Sequence, residues 1–379
     1  MIYLDNSATT VVSKAAAERA EKYMTLNFFN PSSAYNAAVN VERDIKEART
    51  RIAKTLYCTP DEFIYTSGGT ESNNAAILGS LKQHRGKGRI ICSAVEHPSV
   101  YEVFMMLSTM GYDVKIAPVT QNGDINYDAL SELVTDDTAF VSLMHVNNET
   151  GAITDLEKCR SIIASKAPGA IFHSDGVQAF CKLPFSKLPV DLYSVSGHKI
   201  HAPKGIGVLY IKKGTKFFGS LIGGGQERGL RSGTTNVPSI MALDTAISDY
   251  AEHQAEYIES MMQCKLRLAA NLTSLTDTFI NGCKPENGAP HILNVSFVGV
   301  RGEVLLHTLA EKGIYVSTGS ACSTHKKGNR ILESMGVSPE RREGAIRFSL
   351  CAHTTMQEID EASNAIASVL PQLRRFKRR

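Results

Sequence analysis

Val190-Asp-Leu-Tyr-Ser-Val-Ser-Gly-His-Lys199-Ile-His-Ala-Pro-Lys-Gly205 is the stretch on which the reading of the fold turns. An apolar-rich run of β-forming residues carries the backbone to Ser196, Gly197 permits a tight turn, and His198 and Lys199 stand where the strand stops. Outward from it the same pattern repeats. Between about residues 62 and 211, short β-rich runs at 62–66, 89–93, 113–118, 139–145, 170–173, 192–196 and 207–211 alternate with helical segments. That alternation predicts an α/β domain built on a mostly parallel sheet.

On the N-terminal side, 13–24 and 34–56 have helical spacing, with Pro31 marking the break between them. On the C-terminal side, a glycine-rich segment at 223–234 is too irregular for either element, and a long amphipathic pattern covers 237–275. A second unit follows, with strands expected at 292–297 and 314–317, a helix at 302–312, and a last helix opened by the capping box Thr355-Met-Gln-Glu358. The expected division is a large domain over 13–250 and a smaller α/β domain over 251–379, with residues 1–12 packed against the smaller one.

Composition narrows the function. The chain has 379 residues, 43% of them hydrophobic and 21% charged, enough for two domains with a cleft between them. The net charge of +3 comes from basic residues dispersed among acidic ones, which argues against a nucleic-acid surface. Eight cysteines, at 58, 92, 159, 181, 264, 283, 322 and 351, form no Cys-x-x-Cys pair, which argues against a structural metal. The opening Met-Ile-Tyr-Leu-Asp-Asn-Ser is no basic and apolar leader, and no uncharged run approaches the roughly 18 residues of a membrane span. A cytoplasmic protein with reduced thiols is the expectation.

In an open parallel sheet, ligands bind beyond the carboxyl ends of the strands. Five such ends carry polar residues here. Thr66-Ser-Gly-Gly69-Thr70 is a glycine turn opening a helix, a setting that suits a phosphate, and without Gly-Lys-Ser/Thr it is no Walker loop. The next three carry His97, Asn148 and Asp175, and the fifth is Lys199. An aspartate buried at a strand end needs a cationic partner. A phosphate cradle, an aspartate able to hold a proton on a heteroaromatic nitrogen, and a lysine able to form an imine together describe pyridoxal phosphate binding.

With these residues in view, the chain strongly resembles the cysteine desulfurases, in the class V group of fold-type I pyridoxal phosphate enzymes. The resemblance runs nearly end to end: Tyr-Leu-Asp-Asn-Ser-Ala-Thr-Thr from 3, Asn-Pro-Ser-Ser from 30, Thr-Ser-Gly-Gly-Thr-Glu-Ser-Asn-Asn from 66, Glu-His-Pro-Ser-Val from 96, and His-Val-Asn-Asn-Glu-Thr-Gly from 145. It continues with His-Ser-Asp-Gly-Val-Gln-Ala from 173, Ser-Gly-His-Lys-Ile from 196, Arg-Ser-Gly-Thr from 231, Ser-Thr-Gly-Ser-Ala-Cys from 317 and Ile-Arg-Phe-Ser-Leu from 346.

The resemblance implies a fold-type I transferase with a mostly parallel central sheet and a smaller α/β C-terminal domain. It implies pyridoxal 5'-phosphate held as a Schiff base on Lys199, with Asp175 on the pyridine nitrogen, Gln178 on the ring hydroxyl and His97 stacked on the ring. Gly69, Thr70, Ser196 and His198 are expected at the phosphate, with Thr234 reaching it from the other subunit of a homodimer. Asn148 and Arg347 resemble the family's contacts to the substrate carboxylate, for which an arginine fork is suited.

Cys322 matches the family's nucleophile. Most cysteines are small buried hydrophobes, but this one lies in a polar, glycine-punctuated loop at 319–330, where His325, Lys326 and Lys327 favour the thiolate. The implied activity is removal of sulfur from L-cysteine to give L-alanine and a persulfide on Cys322. The sulfur is expected to pass to an iron–sulfur scaffold or a tRNA thiolation enzyme, with no direct nucleic-acid or membrane contact. Arg347 follows Cys322 by 25 residues, which favours the long-loop type, and selenocysteine remains open as a substrate. Gly176 stands where many relatives have alanine, an exchange expected to be harmless.

Overall fold

The computed structural model describes residues 1–82, 88–184, 187–319 and 329–377, with no account of the side chains of 376 and 377. Its strands, in chain order, are β1 (Ile2–Tyr3), β2 (Phe63–Thr66), β3 (Arg89–Ser93), β4 (Asp113–Ala117), β5 (Thr138–Ser142), β6 (Ile171–Asp175), β7 (Leu192–Ser196), β8 (Gly207–Ile211), β9 (Thr278–Ile280), β10 (Ile292–Phe297), β11 (Ile314–Tyr315) and β12 (Ala345–Ser349). The seven runs read from the sequence join in one sheet of order β2-β8-β7-β6-β5-β3-β4. Only β8 runs antiparallel to its neighbours, so the sheet is mostly parallel.

The parallel strands are apolar on both faces because helices cover both. One face carries Ile64, Ile90, Phe140 and Leu209 against the helices Gly69–Leu81 and Pro98–Thr109. The other carries Tyr65, Val141, Phe172 and Val195 in the largest core. Two of the seven expected runs shift by more than one residue at an end. The run at 139–145 is the strand Thr138–Ser142, and that at 170–173 extends to Asp175, which closes its strand as the last residue.

The amphipathic pattern at 237–275 is one helix, Val237–Thr273, about 55 Å long at 1.5 Å per residue. Its first part buries Val237, Ile240, Leu243 and Tyr250 in the core beneath the large sheet. Its later part buries Cys264, Leu268 and Leu272 in a second core with Val295, Ile346, Phe348 and the helix Met356–Lys377. That last helix begins with the expected capping box, in which the Thr355 amide and hydroxyl donate to Glu358 and the Glu358 amide donates back to Thr355 Oγ1. A small antiparallel sheet, β12-β10-β9, floors the second core. The N-terminus belongs here too: β1 pairs in parallel with β11, and Ile2 and Leu4 are buried in this core. Among the described residues no helix is long and apolar enough to cross a membrane.

Candidate active site

Asp175 ends β6 and is buried. Its carboxylate accepts from Asn73 Nδ2 at 2.7 Å and from the Val177 amide at 3.0 Å, and Asn73 also donates to Ser99 Oγ. His97 caps the helix Pro98–Thr109. Its Nδ1 accepts from the Ser99 amide at 3.1 Å, so the neutral ring carries its proton on Nε2. Burial holds the His97 imidazole below its usual range. The Asp175 charge opposes that shift, and the charges of Lys199 and Arg330 add to it.

Lys199 closes a short turn of 3₁₀ helix directly after β7. Its Nζ donates to the carbonyls of Ser7, at 2.6 Å, and Ala8, at 2.7 Å. Burial, and after it the nearby charge of Arg347, bring the amine down to about 8, while Asp5 and Asp175 pull the other way. A lysine in this condition is neutral often enough near pH 8 to act as nucleophile or base.

Ser196, the last residue of β7, has a buried Oγ with no hydrogen-bond partner among the described residues. It faces the turn at Gly68, where φ is +149° and a Cβ would come to 3.7 Å from that oxygen. At Gly69 a Cβ would stand 2.7 Å from Val177 Cγ2, so the turn and the segment after Asp175 approach too closely for a side chain. The helix Gly69–Leu81 starts here with no side-chain cap, which leaves the amides of its first turn, Thr70 among them, open to an anion. His198 lies next to Ser196, with Nδ1 3.2 Å from Thr9 Oγ1, and burial lowers it to about 4.

Gln178 is held by protein at both ends, with Nε2 donating to Ser7 O at 3.0 Å and Oε1 lying 3.3 Å from His291 Nε2. Thr234 is exposed in the loop before the long helix. Cys322, with His325, Lys326 and Lys327, lies outside the described residues.

Arg347 sits in the middle of β12, buried, and faces the same space. Nη2 donates to Asp5 Oδ1 at 2.7 Å, Nη1 donates to Asn148 O at 3.1 Å and reaches Glu149 Oε1 at 3.5 Å, and Nε has no partner among the described residues. Asn148 Oδ1 is likewise buried and unpaired. An N–H and an amide oxygen without partners, on two residues in contact through Nη1 and the Asn148 carbonyl, are groups that a substrate with a carboxylate and an ammonium could use.

Asp5, Glu149, Asn73 and Ser7 were not singled out from sequence, although all lie inside the motifs quoted above. The glycine at 176 has a structural counterpart in Tyr193. A Cβ there would stand 1.9 Å from Tyr193 Cζ, so the room a methyl would need is occupied by the tyrosine ring.

The aminotransferase class-V family model matches residues 2–362. A protein named cysteine desulfurase from Nostoc sp. is 38% identical, covering 99% of this chain and 94% of that protein. Cysteine desulfurase IscS from Serratia proteamaculans is 39% identical, with coverage of 98% and 93%. Among solved structures, one titled NifS-like protein superposes with a TM-score of 0.93 at 36% identity, covering 98% of this chain and all of that one.

Proposed function

The chain belongs to the class-V aminotransferase family and is a cysteine desulfurase, and from that premise we propose how its residues divide the work of taking sulfur from L-cysteine. The site fits pyridoxal phosphate. The unpaired Ser196 Oγ and the open helix turn suit a phosphate, and buried Asp175 suits a protonated ring nitrogen. Gly69, Thr70, Ser196 and His198 would hold the phosphate, Asp175 the ring nitrogen, Gln178 the ring hydroxyl and His97 the ring face. Lys199 would be the covalent anchor, and Thr234 would be supplied by a second copy of the chain. When bound, the cofactor supplies an electron-accepting ring beside the substrate α-carbon.

In this reading Arg347 and Asn148 fix the substrate carboxylate. Lys199, oriented by the Ser7 and Ala8 carbonyls, takes the proton from the α-carbon and later returns one. The Cys322 thiolate attacks the substrate sulfur. A sulfur–sulfur bond forms, the carbon–sulfur bond breaks with its electron pair left on the carbon fragment, and that fragment gains protons and leaves as L-alanine. The persulfide on Cys322 would then pass its outer sulfur to an acceptor, an iron–sulfur scaffold or a tRNA thiolation enzyme. We assign the division of labour to two domains, 13–250 and 251–379, with 1–12 joined to the second, in a homodimer. Exposed Val11, Leu26, Phe28 and Ile222 give such a dimer apolar surface to bury.

The observation that carries this reading is Lys199 Nζ held on the Ser7 and Ala8 carbonyls, just beyond β7, the strand paired with that of Asp175, where burial brings the amine down to about 8. Cys322→Ala tests it: cofactor absorbance should persist while persulfide formation from L-cysteine disappears. Undiminished sulfide release by that variant in a single turnover would refute the assignment.

A further inference from the structure

Arg347, to which the reading above assigns the substrate carboxylate, is already engaged by two carboxylates of the protein itself. A third anion docking on the free Nε would leave one guanidinium facing three negative charges in a buried site, where like charges repel strongly. One carboxyl must give up its charge or move away.

The two are not equivalent. The Asp5 side chain is 21% exposed and holds Nη2 at 2.7 Å, so its charge is both solvated and well paired. Glu149 is 3% exposed, and its contact to Nη1 is 3.5 Å long. Its Oε1 accepts from Asn148 Nδ2 at 3.2 Å, and its Oε2 is buried without a partner among the described residues. Oε2 faces Gly319, where a Cβ would come within 2.2 Å of it. A buried carboxylate with one bare oxygen gains more from protonation than a solvated one.

Among the described residues, the charged groups that act on Glu149 are Arg347 and Asp5. Burial raises its carboxyl, Arg347 on β12 lowers it, and Asp5 in the N-terminal segment raises it. Lys199 and His291 in turn feel Arg347. The other neighbours, Asn148 on its own loop, Asn294 on β10, Gly319 and Asn329, are uncharged.

We propose that Glu149 takes up a proton when the substrate carboxylate docks on Arg347, so that carboxylate binding and the neutralisation of this one side chain are a single coupled event. An O–H bond forms on Glu149 with a proton from solvent, and nothing is oxidised or reduced. Glu149 is thus a positioning residue: it occupies the guanidinium until a carboxylate arrives and then yields to it. The proposal rests on Arg347 being the carboxylate partner.

The test uses cofactor-loaded enzyme and 3-(methylthio)propionate, which carries the carboxylate and the sulfur of cysteine but neither its amine nor a thiol proton. Calorimetry in buffers of different ionisation heat counts protons on binding. Wild type should take up about one proton per ligand, with affinity falling about tenfold per pH unit above the free-state titration of Glu149. Glu149→Gln should bind without uptake and without that pH dependence, and Asp5→Asn, which leaves only two negative charges on the guanidinium when the ligand binds, should take up less than wild type. Should Glu149→Gln fail to fold, infrared difference spectra of the wild type decide, through a protonated-carboxyl band that appears on ligand binding. No uptake by wild type, unchanged uptake in Glu149→Gln, or undiminished uptake in Asp5→Asn overturns the proposal. Arg347→Met separates the two levels. If it binds the ligand as tightly as wild type, the assignment of Arg347 fails. If it loses binding while wild type takes up no proton, only the coupling fails.

Discussion

Gly176→Ala places a methyl group 1.9 Å from Tyr193 Cζ, 2.1 Å from Cε1 and 2.4 Å from the hydroxyl oxygen. Ordinary contact begins at 3.4 Å, so the ring must retreat by about 1.5 Å. Tyr193 has nowhere to go. It is fully buried in β7, paired with Ser174 on one side and Tyr210 on the other, and its hydroxyl is 2.8 Å from His145 Nδ1. Gly176 has no positive φ, so the penalty is steric rather than conformational. Overpacking of a rigid core costs about 1–3 kcal/mol, and a pinned aromatic ring sets the expectation at the upper end, about 3 kcal/mol.

Since Gly176 directly follows Asp175, the displaced backbone should also weaken retention of pyridoxal phosphate. A second substitution isolates the cause. Tyr193→Leu removes the ring and on its own costs about 2–3 kcal/mol for the cavity it leaves, but combined with Gly176→Ala it should be less destabilising than the sum by about 2 kcal/mol. Equilibrium unfolding of the four proteins, together with cofactor retained after gel filtration, measures both effects. A single variant within about 0.5 kcal/mol of wild type, or a double variant equal to the sum, would refute the reasoning.

Two further expectations concern buried amines. Because the Arg347 charge helps hold the Lys199 amine down at about 8, Arg347→Met should raise it. Cofactor loading of the apoprotein, which needs the neutral amine, should therefore be half-maximal near pH 8 in wild type and shift to higher pH in the variant. A loading profile that stays in place would contradict the electrostatic account. Lys182 is fully buried with no partner for Nζ among the described residues, and burial, followed by the Lys199 charge, brings it from 10.5 to about 7. With the folded value below the unfolded one, folding expels a proton between these pH values. The resulting penalty grows as pH falls from about 10.5 to 7 and is level below that. Lys182→Met should stabilise the apoprotein at pH 7 by on the order of 3 kcal/mol, and the gain should shrink toward pH 10. A pH-independent difference in unfolding free energy would count against this assignment.

What could be read from sequence follows the length and polarity of each segment. Leu192–Ser196, Arg89–Ser93, Gly207–Ile211 and Ile292–Phe297 are legible because each is a β-rich run bounded by turns. The strand β1 has two residues and β9 three, too few for any period to show. β12 is hidden by its own function, since Arg347 interrupts its apolar run with a charge that only a buried site explains. Asp175 and Lys199 stand out as polar residues where strands stop. Asp5 and Glu149 do not, because their meaning depends on Arg347, 342 and 198 positions away respectively. The relation between Gly176 and Tyr193 is of the same kind: a glycine and a tyrosine in two strand-end stretches reveal nothing until the sheet brings them together.

The distance between the two anchors for an amino-acid substrate, the Lys199 amine and the Arg347 guanidinium, is set by a short strap. Lys199 follows a strand of the large sheet and Arg347 lies on a strand of the second core, so packing between the cores could in principle let them slide. Residues 5–10 prevent that. Asp5 grips Arg347, Asn6 donates from its amide and its Nδ2 to Ser349 O, and the Ser7 amide donates to Ser349 Oγ. The same strap then turns its Ser7 and Ala8 carbonyls to Lys199 Nζ, and its Thr10 amide and hydroxyl to His198 O. At Lys199 the bonds are accepted by main-chain oxygens, which no choice of side chain at 7 or 8 can remove. An α-amino acid carries its amine and carboxylate on one carbon, at a fixed separation, and a site that recognises both needs a span held as firmly. The backbone of residues 5–8 supplies that span. The length of this strap, rather than the shape of a pocket wall, ties the chemistry at Lys199 to the recognition at Arg347.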